Sequence, residues 1–525
     1  MFAPMSRQGP RDASIRLLIT ALIALIGAVG LSGHARAADW SRVESDHFVI
    51  TSDGPAGKAE SYAQQVEAFR YVALMLLGAD PVGTRTQSKF DIYLLRNQAQ
   101  IRKVRPNFSD RVAGVYFPCD EGSLAYAALQ DNWARDGSDE GLMILLHEYS
   151  HHLMFQSSPA YYPSWYVEGF AEYMSTAFID DGQVSLGYPQ PGRMRTLAQD
   201  RWMKFEKVLS PLALNSGDKA HDQRDVDNFY AQSWLLTHYM LNDSERTKRF
   251  NAYFARVGAG EDPVAAFEPS TGIPMSSLER VLKRYLEALP VITVRSKDIP
   301  NAIPKAQALP EETQEWLLNA SLLRTCMAKA QGETVLAQLR TLASAPAGVS
   351  ADLRLARDRA EILFGDAKAA IDDLQAHAAN DEGSFDAHYL MGRALFLQAQ
   401  GLQGDARVDL LSQAKQQFLK AYRLRKFDAA NLYFLSYTLP GGGSNVNVVN
   451  AARGAHSLAP GIDSYAIHEA LVDLQADQRD RALQALTPLA SNAHDQKRAE
   501  QMRAAVAAIR AEKSLAEVER VINGN

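Results

Sequence analysis

Apolar and polar positions along the chain fall into stretches of different period. His47-Phe48-Val49-Ile50-Thr51 is short and β-prone, and Lys89 to Leu95 alternates as a strand does. Between them, Ala56 to Leu77 carries a helical pattern. Val112 to Phe117 and Leu124 to Leu129 flank the turn-rich run Pro118 to Ser123, which predicts a hairpin. From Asp139 to about Leu289 the pattern is mostly helical. Pro290, Pro300, Pro304 and Pro310 then predict a linker over 291–311. From Glu312 onward the chain is rich in Ala and Leu and helical throughout. The expected fold class is α+β: an α/β subdomain over 38–135, a helical subdomain over 136–290, and an all-α domain over 312–525.

The last domain carries a degenerate repeat. Gly392, Ala414, Phe418 and Ala421 resemble the tetratricopeptide pattern, a small residue in one helix and Ala-x3-Phe-x2-Ala in the next. The match needs about ten extra residues between the helices, around Gly401 to Leu410. Weaker echoes are Ala470 with Ala482, Leu486 and Leu489, and Gly365-Asp366 with Ala370 and Leu374. Small residues at these sites let paired helices approach closely, so stacked pairs bury a continuous core. The resemblance implies a domain that binds a protein partner.

Composition narrows the function. Lys+Arg is 55 against Asp+Glu 61, a net charge of −6, which gives no general attraction to nucleic-acid phosphates. One apolar run, Leu17 to Leu31, follows Arg7, Arg11 and Arg16 and precedes Ala35-Arg36-Ala37. A charged start, a 15-residue apolar core and an Ala-x-Ala site predict a secretory signal peptide over 1–37. The run falls short of the roughly 20 residues that a spanning helix needs, so no stable membrane span is expected after cleavage. Cleavage after Ala37 removes four Arg and one Asp and deepens the charge to −9. The protein is expected to be secreted or periplasmic. Cys119 and Cys326 fall in different predicted domains and are expected to be unpaired thiols.

The chemistry concentrates in two helical runs. His147-Glu148-Tyr149-Ser150-His151 lies within Leu142 to Met154. On a helix, i and i+4 are about 40° apart, so both imidazoles leave the same side and can share one metal. Leu142, Leu145, Leu146, Tyr149 and Leu153 form an apolar stripe opposite, while Ile144 and Met154 add apolar surface on the histidine side. A helix apolar on both sides is buried on both. After Pro159 and Pro163, a second run contains Glu168 and Glu172, again at i, i+4. Burying two carboxylates on an apolar helix is costly unless they are paired or bind metal. Zinc with two His needs a third protein ligand, and Glu168 has the reach after one reversal. Glu172, a turn later, is placed to accept the spare N–H of His147 and fix its tautomer.

His147-Glu148-Tyr149-Ser150-His151 followed by Trp165-Tyr166-Val167-Glu168-Gly169-Phe170-Ala171-Glu172-Tyr173 resembles the gluzincin zinc metallopeptidases, the thermolysin-like or peptidase MA-like superfamily. Their pattern is HExxH with a glutamate ligand on a following helix. The opening Trp40 to Asp53 and the later run Phe229 to Leu241 resemble further parts of the same domains. The resemblance implies that His147, His151 and Glu168 hold one Zn2+, that Glu148 is general base and proton shuttle, and that Glu172 supports the ligands. It also points to Tyr230 as donor to the oxyanion, with His221 and His238 as weaker candidates. His152 is expected to pack or cap. By the same resemblance, Val112 to Phe117 is the edge strand that aligns an extended peptide. The expected activity is hydrolysis of a peptide or protein substrate by a water activated at zinc and deprotonated by Glu148. Two alternatives stay open: a periplasmic repeat scaffold with an inactive or structural zinc domain, and a zinc hydrolase of a non-peptide amide.

Overall fold

The computed structural model describes residues 40–82, 89–106, 112–129, 140–157, 162–180, 182–199, 201–210, 213, 223–302, 304–344, 349–491 and 495–524. The predicted signal segment and His221 lie outside the described residues. The fold is mixed α and β, with helices dominating.

β-Branched and aromatic residues at the start build a six-stranded sheet. β1 (Ser41–Glu44) and β2 (Phe48–Ser52) are antiparallel neighbours. The helix α1 (Ala56–Leu76) then crosses to β3 (Phe90–Leu95), which runs parallel to β2. After α2 (Gln98–Val104), whose N-terminus the Asn97 side chain caps, come β4 (Gly114–Cys119) and β5 (Gly122–Ala128). β5 lies parallel to β3, and β4 closes that side of the sheet as its edge strand. Pro118, which has no N–H to donate, suits an edge. The hairpin is tighter than the turn-rich run suggests. Pro118 pairs with Ser123 and Cys119 with Gly122, leaving only Asp120 and Glu121 at the tip.

One face of this sheet carries α1 and α3 (Glu140–Ser157). A Cβ on Gly114 of β4 would stand 2.9 Å from Ile144 of α3, so the absent side chain sets how closely strand and helix approach. α4 (Ser164–Ser175) packs on α3, then on α7 (Gln223–Leu241). The stripe residues Leu142, Leu145, Leu146, Tyr149 and Leu153 are all buried, and so is Met154 on the other side. A single hydrophobic core runs from Val43 through these helices to Ile299, so the two predicted peptidase subdomains share their interior.

The proline-bearing stretch is more structured than a linker. β8 (Ile292–Arg295) completes a small sheet with β6 (Phe178–Asp180) and β7 (Gln183–Leu186). β9 (Gln307–Ala308) pairs with β1 and finishes the large sheet. Short strands here require only a few ladder bonds, which the prolines at 300, 304 and 310 leave room for.

The C-terminal region is a succession of packed helices. It runs through α11 (Leu317–Leu322), α12 (Lys329–Ala343), α13 (Ala351–Phe364), α14 (Ala367–Asn380), α15 (Phe385–Gln400) and α16 (Gly404–Leu424). It continues with α17 (Ala429–Thr438), α18 (Val446–Leu458), α19 (Asp463–Gln475), α20 (Arg479–Leu486), α21 (Gln496–Arg510) and α22 (Leu515–Asn523). Side chains of Ser350, Asp366, Ser384, Asp428 and Asn445 cap α13, α14, α15, α17 and α18 by accepting from backbone N–H groups. The predicted repeat residues pack as pairs. A Cβ on Gly392 would stand 2.6 Å from the Phe418 ring, and Ala414, Phe418 and Ala421 are fully buried. Gly332 meets Phe364 in the same way between α12 and α13, a pair that the sequence pattern did not single out. The extra residues near Gly401 to Leu410 mostly lengthen α16, which has 21 residues, rather than forming a loop.

The helical region is fixed to the sheet's other face. Tyr126 donates to Ser321 Oγ at 2.8 Å, Arg324 to Asp91 at 2.7 Å, and Gln331 to the Val104 carbonyl at 3.1 Å. Cys119 and Cys326 form a disulfide, so the expectation of unpaired thiols is corrected. The two lie 207 residues apart in sequence and meet only because the helical region returns to the hairpin. At the hairpin tip Glu121 is buried among Arg359, Arg393 and Tyr389, accepting from all three. Burial alone would raise its carboxyl pKa, yet the two guanidinium groups hold it below the usual value.

Candidate metal centre

The helical spacing does what i, i+4 requires. On α3 the His147 and His151 Nε2 atoms lie 3.2 Å apart. Oε2 of Glu168, on α4, stands 3.6 Å from each. One donor atom from each of the three residues falls within 4.8 Å of the others. Glu168 is 1% exposed. Gly169 makes this position possible. A Cβ there would lie 2.4 Å from the Ser233 carbonyl oxygen and 2.3 Å from Thr237 Oγ1 of α7. Without one, α4 lies close against α7, and Glu168 on the preceding residue turns toward the histidines.

The surroundings are electronegative. Burial opposes protonation of His147, but the carboxylates of Glu168, Glu172 and Glu148 outweigh it and hold the imidazole pKa above the ordinary histidine value. The same negative field favours a cation at the centre. Two imidazoles and one carboxylate form the donor set of a catalytic zinc site, with a fourth position left for water or substrate. The residues present fit the metal.

Glu172 lies where the sequence suggests but is held differently. Its Oε1 is 3.6 Å from His147 Nδ1, beyond a direct hydrogen bond. Both of its oxygens are gripped by Arg193 of α5 (Pro191–Leu197), Nε at 2.9 Å and Nη2 at 2.5 Å. Nothing in the sequence pattern marks Arg193. Its guanidinium also lies over the Tyr230 ring at 5.0 Å, which ties Tyr230 to the same cluster. Burial, together with the charges of Glu168 and Glu172, raises the Tyr230 pKa far above the ordinary phenol.

A second phenol lies on the strand packed against α3. Tyr116 of the edge strand β4 hydrogen-bonds Ser123 Oγ at 3.0 Å. Burial raises its pKa first, and the Glu148 carboxylate raises it further. A Cβ on Gly461, in the turn between α18 and α19, would lie 2.8 Å from the Tyr116 hydroxyl, so the helical region packs closely on this side chain. Tyr116 had no sequence signal beyond its place in the predicted strand.

His238, the weaker candidate among the described residues, is engaged elsewhere. His238 hydrogen-bonds the Gly187 carbonyl at 3.0 Å and the Tyr285 hydroxyl at 2.8 Å, so it ties α7 to the β7 turn and to α10 (Met275–Tyr285) and is removed as an oxyanion candidate. His152 packs as expected, stacked on Tyr149 with Phe90 beside it. Burial, then the Arg70 charge, pushes its pKa down to about 4.

No family model matches the sequence, and no curated protein matches it. A thermophilic TPR protein of Thermus thermophilus, known from a crystal structure, is similar to part of the chain. The identity is 14% and the TM-score 0.31, over 38% of this chain and 98% of that one. Among the described residues, no helix is long and apolar enough to cross a membrane.

Proposed function

We propose that the protein is an exported zinc metallopeptidase of gluzincin type whose C-terminal helices form a tetratricopeptide-like domain. The observation that carries the reading is the convergence of His147, His151 and Glu168, with Glu148 on the same helix. Glu148 is not among the three donors, and a purely structural zinc site has no use for a carboxylate placed there. Bound zinc would polarise the scissile carbonyl and acidify the attacking water. Glu148 then accepts the water proton and passes it to the leaving amine. Tyr230 donates its hydroxyl hydrogen to the developing oxyanion. Arg193 neutralises Glu172 and keeps Tyr230 in place. Among the described residues β4 is an edge strand, which supports a peptide substrate, because an extended chain can add to it as another strand.

Export is supported by the signal-like Leu17 to Leu31 run and by the Cys119–Cys326 bridge, since structural disulfides persist in oxidising compartments. The burial of Glu121 in the helical region favours an enzyme of joined parts over an independent scaffold with a vestigial zinc domain. Cleavage of a broad peptide mixture by the zinc-loaded protein, abolished by chelator and restored by zinc, is the expected result. An inert zinc-loaded protein on the same mixture, but active on a non-peptide amide, would transfer the reading to that substrate class.

A further inference from the structure

We propose that the cavity between the large sheet and the helical region is a binding site for an acidic peptide segment. It encloses about 1000 Å³. Arg42, Thr51, Asp91 and Tyr93, on β1, β2 and β3, form its floor. α11, α15 and the turn from α16 into α17 form its walls. His147, His151 and Glu168 are not among the residues lining it, so the site is distinct from the metal centre.

Charge singles this cavity out. Seven cationic and five carboxylate side chains line it, in a chain whose net charge is −6. Each of those carboxylates is already engaged. Glu44 accepts from Lys89 and Asp91 from Arg324, both at 2.7 Å. Glu121 is held by Arg359 and Arg393. Asp386 stands 3.6 Å from Arg359 and 3.9 Å from Arg425, and Asp428 caps α17 by accepting from the Asn431 N–H at 2.8 Å. Arg42, Arg423 and Lys426 are exposed and have no ion-pair partner among the described residues. Three unmatched cations around one concavity attract an anion, and the protein walls focus that attraction.

The other walls define the kind of anion. Leu424 is 46% exposed and Phe427 48%, an apolar pair interleaved with the cations Arg423 and Lys426. His152 also lines the cavity, and its buried Nδ1 has no hydrogen-bond partner among the described residues. A polar group of a ligand would supply that partner. The volume lies at the top of the range for ligand pockets, well beyond a single phosphate or carboxylate ion. A short stretch of chain with acidic side chains and apolar ones between them matches the charge, the apolar pair and the size together. Binding here needs no metal, so the inference stands apart from the peptidase reading.

Fluorescence anisotropy on the full-length protein tests this, with Glu148→Gln in place so that no probe is cleaved. The probe is a short labelled peptide of alternating glutamate and leucine, compared with its glutamine counterpart. The acidic peptide should bind about tenfold more tightly or better, and the difference should shrink as salt is raised. Arg423→Glu and Lys426→Glu, both at exposed positions, should each weaken the acidic peptide about threefold or more and leave the glutamine peptide unchanged. Lys297→Glu, at an exposed lysine after β8, should change neither. Removing zinc should leave the affinity as it was. Equal affinity for the two peptides, equal effects of Lys297→Glu and Lys426→Glu, or binding that appears only with zinc would each overturn the proposal. Complete displacement of the peptide by millimolar inorganic phosphate would mark a small-anion site and overturn it as well.

Discussion

Glu121 and Glu168 both have buried carboxylates, and their partners set them apart. Glu121 at the hairpin tip is enclosed by two guanidinium groups and a phenol from the helical region. Glu168 faces two imidazoles across 3.6 Å in an electronegative pocket. The first carboxylate is neutralised within the chain, and its position joins two parts of the fold. The second is arranged around a point to which a cation would be drawn. Burial alone does not mark a functional carboxylate; what surrounds it does.

Removing each group should separate the two roles. Glu121→Ala leaves Arg359 and Arg393 buried without their anion and should cost about 3–5 kcal/mol in chemical denaturation. Glu168→Gln should leave metal-free stability within about 1 kcal/mol while abolishing zinc retention. Equal destabilisation by the two variants would break the contrast. Reducing the Cys119–Cys326 bridge, which closes a 207-residue loop, should cost about 2–4 kcal/mol in the same measurement. Zinc affinity should respond to it little.

Glu172→Ala gives a smaller effect on the zinc side. It frees Arg193 and removes a carboxylate beside His147, and a roughly 10–100-fold loss of zinc affinity is expected by competition with a chromophoric chelator. The smallest expected effect is in acid. Glu121 has its folded-state pKa held below the unfolded value of 4.5. Its stabilisation is complete above that value and is lost as pH falls through the lower, folded-state one. The stability gap between wild type and Glu121→Gln should narrow as pH drops below 4.5, measured by denaturant titration at each pH.

The same pair of glutamates shows what was legible in the sequence. His147, Glu148 and His151 are neighbours on one helix, and Glu168 lies 17 residues after His151. Helical period and residue type therefore suffice to assemble them. Glu121 meets Arg359 and Arg393 across 238 and 272 residues, a distance that no local period encodes. Arg193 lies only 21 residues after Glu172, but neither its residue type nor its spacing marks it as that carboxylate's partner. The Cys119–Cys326 bridge is not legible either, because sequence pattern marks the helical region as a separate domain and only the fold brings it back onto the sheet. His238 looked available by residue type alone, and only its neighbours Gly187 and Tyr285 show it to be a packing bridge. In the repeat region, small-residue spacing is a good guide to helix pairing, while the extra residues that the pattern places between the helices mostly belong to α16 itself.

The central claim is that Glu148 acts on a metal held by its neighbours without holding it. It is tested most directly by measuring zinc content and peptide hydrolysis together in Glu148→Gln. The expected result is one zinc per chain, as in wild type, with hydrolysis reduced by about 10²–10⁴-fold. Full zinc content with undiminished hydrolysis would contradict it.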